Sequence, residues 1–324
     1  RAFRVLISNG HSEGTRSTYN SGVAHYKQFC AYINEPLFSA NDLKNKFLLF
    51  LVYLQQVKHL AYGTIQVYSA AVRSWFVVNG LPDSSIGQAG AKDPLLRLLL
   101  QGIKRTSVGS QRVERKPITM PKLIKFVDAI DLLEISILEK MRLKTLILLS
   151  FWGLFRGSEL CKSSGRKNYL RRKDVRVCRT GEGISYVKVV LRGTKTCQFK
   201  RTAVYIYENE TKYCAVSAAA TYFKITKSRS DIGPNSHFFS WGTRVMSLRY
   251  FNIMIKLLAS KIGLKPEFYS SHCFRAGGAT SATNRGIPPH VIKQMGRWSS
   301  NCFELYVKKP REALRKAQRS IIAR

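Results

Sequence analysis

The residues best suited to chemistry fall late in the chain, between Ser270 and Lys309. His272 and Arg275 are three apart, a spacing that puts both on one face of a helix. A Gly-bounded turn follows, then a second helix that Pro288 can open at its first position, and beyond it Arg297, Trp298 and Tyr306. Paired cations, a bridging group and a tyrosine make a phosphate-handling set. A tyrosine oxygen that attacks a DNA phosphodiester makes the phosphorus five-coordinate, builds charge on the non-bridging oxygens and expels a 5′ hydroxyl. Arginine forks stay protonated and offer two parallel donors, so they can meet that charge where other phosphoryl-transfer sites use metal ions. A lysine or histidine then supplies the leaving-group proton. The covalent phosphotyrosine keeps the bond energy, so a strand can be rejoined without ATP.

Such a set needs a scaffold and a polyanionic partner. The chain has 324 residues, 45% of them hydrophobic, enough for two domains with ordinary cores. Its formal charge is +35, from 54 Lys and Arg against 19 Asp and Glu, far more than solubility requires. Nucleic acid is the first partner this implies and a membrane surface the second. The membrane reading is disfavoured because the basic residues are not collected on one amphipathic face. The longest apolar run, Leu143 to Phe155, contains Lys144 and is too short to span a bilayer, so it reads as a buried helix. No signal-peptide core follows the N-terminus, and the absence of an initial Met is expected of a trimmed chain. Seven cysteines without a C-x-x-C pair fit a reducing intracellular compartment.

The elements that must position the site follow from periodicity and caps. From Thr15 to about Arg105 the pattern is helical: Ser12 to Thr15 can cap a first helix, Asn41-Asp42 a second, Gly63-Thr64 a third, and Pro94 opens a fourth. Alone, this bundle also fits a helical interaction domain. The stretch K-R-T-S-V-G-S-Q-R-V-E-R-K-P-I, residues 104–118, has the composition of a linker. Its Lys104, Arg105, Arg112, Arg115 and Lys116 are either solvated or track a phosphate backbone. The expected division is a helical unit at 1–104, a linker at 105–118, a second domain at 119–309 and a basic tail helix at 310–324.

The second domain opens at Thr119-Met120-Pro121 and runs to G-L-F-R-G-S-E-L, where Arg156 and Glu159 lie three apart at the end of the buried helix. They form either a plain structural pair or part of a site. Alternating residues at Ile184 to Val190 and Thr202 to Ile206 read as a hairpin or part of a three-stranded sheet. Lys195 falls near its turn with Arg192 beside it, and a lysine there is ordinarily a solvated charge. Helices resume at Cys214 and Leu248, with Phe238-Phe239 a buried strand or turn between them. Tyr306, in F-E-L-Y-V, fits a half-buried core position unless its place after the other motifs and its basic surround mark it out. His290 reads as a surface helix residue and Trp241 as turn packing.

These residues, in this order, resemble the tyrosine recombinases, the phage-integrase superfamily, and look most similar to eukaryotic mobile-element members of the Crypton or DIRS-like and Ngaro-like type. The resemblance covers nearly the whole chain and rests on the series Arg156-x-x-Glu159, Lys195, His272-x-x-Arg275, Gly296-Arg297-Trp298 and Tyr306. It implies a mainly α fold with a small antiparallel β-sheet, made of a helical core-binding (SAM-like) N-domain and an α+β catalytic domain. It also implies that Arg156 and Arg275 grip the scissile phosphate, Lys195 is the general acid, and His272 assists proton transfer around the nucleophile Tyr306. Glu159 would orient the first arginine. The family usually places His or Trp nine residues before the nucleophile. Arg297 stands there and Trp298 one later, and register favours Arg297. Double-stranded DNA and a dimer-to-tetramer assembly exchanging the basic tail are the implied partners, the nucleus the implied place, and no metal or cofactor is implied. Two other readings remain: a catalytically inactive DNA-binding protein, with A-T-S-A-T-N-R-G-I-P-P-H-V-I-K-Q-M-G-R-W as a helix-turn-helix, and a type IB topoisomerase, against which the separate N-terminal helical domain argues.

Overall fold

The computed structural model describes residues 10–38, 42–83, 93–107, 114–163, 169–183, 185–193, 201–227, 229, 231–241, 244–300 and 304. The chain divides into two units, Arg1–Arg112 and Val113–Arg324. Four helices make up the first: α1 Glu13–Tyr32, α2 Leu43–Gln56, α3 Tyr62–Val78 and α4 Pro94–Thr106. Caps set two of the starts. Ser12 Oγ accepts from Thr15 N at 3.2 Å, and the Asp93 carboxylate accepts from Leu96 N at 2.9 Å, with Pro94 in the first turn. The core is aromatic, with Tyr26 edge-on to Phe50 and Phe76 at 5.2 and 5.3 Å between ring centroids. Helix α4 continues to Thr106, so Lys104 and Arg105, exposed in its last turn, are helical and not linker.

The C-terminal end of the expected linker is likewise structured. Lys116 N donates to Phe268 O at 3.1 Å and Ile118 N to Cys273 O at 3.0 Å, while the Ile118 side chain is fully buried. Arg115 Nη1 donates to the carbonyls of Glu267 and Tyr269 at 3.1 and 3.2 Å, and Lys116 Nζ lies 4.4 Å over the Phe268 ring. Residues 115–118 therefore belong to the second unit, because an apolar Ile118 and paired backbone groups are stabilised by its core.

That unit continues with α5 Met120–Asp128, a 3-10 turn at Ala129–Leu132, α6 Ile137–Trp152 and α7 Gly157–Leu160. A 3-10 turn at Arg172–Asp174 leads into β1 Val175–Arg179, β2 Ser185–Arg192 and β3 Arg201–Tyr207. Then come α8 Ala215–Thr226, the short pair β4 Ser240–Trp241 and β5 Arg244–Val245, α9 Leu248–Lys261, α10 His272–Asn284 and α11 Pro289–Gly296. The sheet is antiparallel in the order β1-β2-β3, with Val189 opposite both Val175 and Val204. Its alternation buries Val187, Val189, Leu191, Val204 and Ile206, and leaves the intervening side chains outward. Helix α6 is buried almost all round, between α8 and α10. Phe238 and Phe239, both fully buried, sit in a turn before β4.

Helix α10 approaches its neighbours as closely as backbone permits. A Cβ at Gly277 would overlap the Ile118 carbonyl, and one at Gly278 would lie 2.6 Å from the Phe151 carbonyl oxygen. The two glycines thus let α10 lie against the 116–118 segment and the end of α6. Among the described residues no helix is long and apolar enough to cross a membrane.

Candidate active site

The site is built where α6 stops. Gly153 and Leu154 turn the chain, and Leu154 does so with φ of +45°, a left-handed conformation unusual for a branched residue. The turn is held because Leu154 is 1% exposed and packs with Ala279, Ile292 and Trp298. Its carbonyl, directed away from the ladder of α6, accepts from Arg275 Nη1 and from Arg297 Nη2, the latter at 3.2 Å. A strained turn is over-determined by two guanidinium groups.

Arg156 does not lie on the buried helix, as the sequence suggested, but past it, as the extended N-cap residue of α7. The i,i+3 relation to Glu159 survives for a different reason. Glu159 Oε2 accepts from Arg156 N at 2.9 Å, closing the first turn of α7, and Oε1 pairs with Arg156 Nη1 at 3.0 Å. Glu159 then holds a second arginine, since Arg297 Nη2 is 3.1 Å from its Oε2. Burial opposes the charge on Glu159, but Arg297, the Arg156 N–H, Arg156 and Arg275 together outweigh it and hold the carboxyl below the usual carboxylate range.

Arg275, on α10, is 1% exposed. Its Nη2 donates to Gly296 O at 2.6 Å, and its guanidinium lies 4.2 Å over the Trp298 ring. Arg297 closes α11 with φ of +57°, and this left-handed cap swings its side chain back over the Phe155 ring at 4.9 Å. There Arg297 Nη1 donates to Gly153 O at 2.9 Å and to Met295 O at 3.1 Å, while its buried Nε has no hydrogen-bond partner among the described residues. His272, the first residue of α10, is exposed at the rim. Partial desolvation, with the charges of Arg275 and Arg156, lowers its pKa below the ordinary histidine value, so the imidazole is neutral at neutral pH and can accept a proton.

Arg156 with Glu159, His272 with Arg275, and Arg297 with Trp298, three pairs far apart in sequence, are thus brought to one place. Arg156 keeps 19% of its side chain exposed against 11% for Arg297. Lys195 and Tyr306, the expected general acid and nucleophile, lie outside the described residues, as do Arg112 and the tail at 310–324. Among the DNA-contact candidates, Lys104, Arg105, Arg115 and Lys116 are exposed, whereas Arg192 forms a bidentate pair with Asp174 at 3.0 and 2.7 Å. Sequence reasoning missed the acceptors at Gly153, Leu154 and Gly296. The only signal for the first two was the Gly punctuating the end of an apolar run. Among the described residues no group of three or more His, Cys, Asp or Glu gathers to hold a metal ion.

No protein-family profile matches the chain. Its sequence is 28% identical over 217 residues to the integrase/recombinase XerD homolog of Selenomonas ruminantium, a match covering 65% of this chain and 58% of that protein. The chain thus spans less than two thirds of that relative's length. The structure is similar to that of XerH site-specific recombinase bound to palindromic difH substrate in a post-cleavage complex, with a TM-score of 0.66 and 17% identity over 94% of this chain and 78% of that one. It is similar as well to the Tn1549 transposon integrase in complex with transposon right end DNA, with a TM-score of 0.54 and 16% identity over 86% and 85%. A lambda integrase dimer bound to a COC′ core site gives 0.55 and 13% over 93% and 73%. The fold, mainly helical with small antiparallel sheets, is shared with these recombinase and integrase structures.

Proposed function

We propose that the chain is a tyrosine recombinase that cuts and rejoins duplex DNA. The observation that carries this reading is the gathering of Arg156, Arg275 and Arg297 from three separate elements around the single carboxylate of Glu159. One carboxylate cannot balance three guanidinium groups, and the excess positive charge suits a phosphate gaining charge in a five-coordinate state. In the proposed reaction Tyr306 Oη attacks the phosphorus in line with O5′. The Tyr–O–P bond forms as the P–O5′ bond breaks, leaving a 3′-phosphotyrosine. The phenolic proton passes towards the neutral His272, and Lys195 delivers a proton to the leaving 5′ oxygen. Attack by a 5′ hydroxyl of the partner duplex reverses these steps, and two rounds pass through a four-way junction.

The finer reading is an integrase of a mobile element, of the Crypton or DIRS-like and Ngaro-like type, acting in the nucleus as a tetramer that exchanges its basic tails. It is supported by the Gly296-Arg297-Trp298 series and by the net charge. One observation favours a second reading, a DNA-binding protein without chemistry. Both terminal nitrogens of Arg275 and of Arg297 already donate to backbone carbonyls or Glu159.

A nicked duplex from the element's own termini, incubated with the protein and with Tyr306→Phe and resolved on a denaturing gel, separates the two. A heat- and detergent-resistant adduct that protease removes and the variant lacks is the expected result. Tight native-gel shifts of that DNA with no adduct would establish the second reading instead.

A further inference from the structure

The outward face of the three-stranded sheet carries a second concentration of charge, separate from the guanidinium cluster. On β2 the residues pointing away from the core are Tyr186, Lys188, Val190 and Arg192. The register sets Tyr207 beside Tyr186, Tyr205 and Arg176 on either side of Lys188, and Arg201 beside Arg192. The face is therefore divided along its length. At one end Lys173, Arg176, Lys188, Arg192 and Arg201 line a cavity of about 310 Å³ with one carboxylate, Asp174. Asp174 is taken up by Arg192. Lys173, Arg176, Lys188 and Arg201 enter no salt bridge among the described residues, so four cations face the cavity without an acidic partner there. Like charges gathered in a recess repel one another and are stabilised by an anion entering it.

The other end is aromatic. Tyr205 and Tyr207 are 50% and 57% exposed, and Tyr186 lies between them at centroid distances of 5.9 and 5.7 Å. Tyr186 is partly covered by its two neighbours and Lys188 Nζ lies 5.7 Å over one side of the Tyr205 ring, so the exposed ring surface of Tyr205 and Tyr207 is what remains open to a flat partner. From Tyr186 to Arg192 the strand rises about 20 Å, at about 3.3 Å per residue, room for a few nucleotides. A duplex hides its base faces and would engage the cations alone. An unpaired strand uses both ends, phosphates in the cavity and bases on the rings.

We propose that this sheet face is a track for a single strand of nucleic acid, with its phosphates in the Lys173, Arg176, Lys188 and Arg201 cavity and its bases stacked on Tyr205 and Tyr207, which Tyr186 holds apart. It requires neither strand cleavage nor the guanidinium cluster.

The test is fluorescence anisotropy of the full chain with a labelled oligothymidylate of about 10 nucleotides, beside a duplex and beside vesicles of phosphatidylcholine and phosphatidylserine. Tyr205→Thr/Tyr207→Thr keeps strand propensity, and its unfolding midpoint checks the fold. The double variant is expected to bind the oligothymidylate at least about tenfold more weakly with duplex affinity unchanged. Arg176→Gln/Arg201→Gln is expected to weaken it too and to reduce the salt slope by about 1.4, two lost phosphate contacts on a single strand. Oligothymidylate binding of the folded tyrosine variant equal to that of the parent overturns the proposal, as does an equal loss on duplex. Loss confined to the vesicles would assign the face to a lipid surface and also overturn it. Adduct formation on nicked duplex, followed in the same variants, reports separately on recombination.

Discussion

Two turns of the second unit start from the same local pattern, an arginine with a carboxylate three residues later: Arg156 with Glu159, and Arg171 with Asp174. In both, the carboxylate accepts from the backbone N–H of that arginine, at 2.9 Å in the first and 3.2 Å in the second. In both it also takes a guanidinium from far along the chain, Arg297 or Arg192. They differ in what becomes of the first arginine and how much water reaches the pair. Arg156 turns onto Glu159 itself, whereas Arg171 turns towards the Tyr169 ring at 5.4 Å. Arg297 keeps 11% of its side chain exposed, against 23% for Arg192. The spacing thus specifies a cap, and the distal partners decide whether that cap becomes a charged cluster with more cations than one carboxylate can neutralise.

The comparison breaks most readily at the carboxylates. Glu159→Gln leaves two largely buried arginines uncompensated and is expected to cost about 3 to 5 kcal/mol in urea unfolding. Asp174→Asn, whose partner still reaches solvent, is expected to cost about 1 to 2 kcal/mol. Equal losses would show that the distal contacts do not distinguish the two turns.

Acid separates the regions next. His237 bridges to Arg171, stacks on Tyr169 at 5.7 Å, and is 4% exposed. Burial, helped by the charge of Lys162, lowers its pKa to about 4. Its unfolded value is about 6.5, so between these values the unfolded chain binds more protons. Stability is full above the unfolded value and is lost as pH falls towards the folded one, by about 3 kcal/mol in all. Glu159, held below the usual carboxylate range, gives up its contribution only at lower pH. In unfolding midpoints measured across this range, His237→Asn should flatten the decline between about pH 6.5 and 4. An unchanged decline would place the acid sensitivity elsewhere.

The smallest effect concerns the distal arginines. Arg297→Lys keeps a charge but loses the fork that spans Gly153, Leu154 and Glu159, and is expected to cost about 2 kcal/mol. Arg192→Lys is expected to cost less than about 1 kcal/mol. Guanidinium-induced unfolding of the two variants measures the difference, and a reversed order would mean that the Asp174 pair is the tighter.

Local signals were legible where local physics decides. Ser12 caps the helix it was expected to start, Pro94 stands in the first turn of the fourth, the strands expected at 184–190 and 202–206 form as β2 and β3, and the run before Gly153 is a buried helix. The three site motifs that lie within the described residues do converge. What the sequence could not show is anything set by long-range bonding. Leu154 has poor propensity for the left-handed turn it makes, and distant partners explain why it stays there: packing on Ala279, Ile292 and Trp298, and the guanidinium groups of Arg275 and Arg297. Register favoured Arg297 over Trp298, but it could not show that the left-handed cap sends one side chain to Glu159 and the other beneath Arg275. The outer sheet face escaped notice because its tyrosines and cations come together only across strands.

The segment at 116–118 bonds to α10, and just beyond it Met120 N donates to Ser281 Oγ, 161 positions away. Contacts of that separation form late. During synthesis the N-terminal helices emerge early enough to pack among themselves, whereas the second unit must wait, unclosed, for nearly its whole length to leave the ribosome. A chain halted after α8 would carry Arg156 and Glu159 with no Arg275, no Arg297 and an unsealed apolar seam at Ile118. Only when α10 and the cap of α11 have both been made can the seam at Ile118 close and Glu159 meet Arg297, so the site is among the last features this chain can assemble.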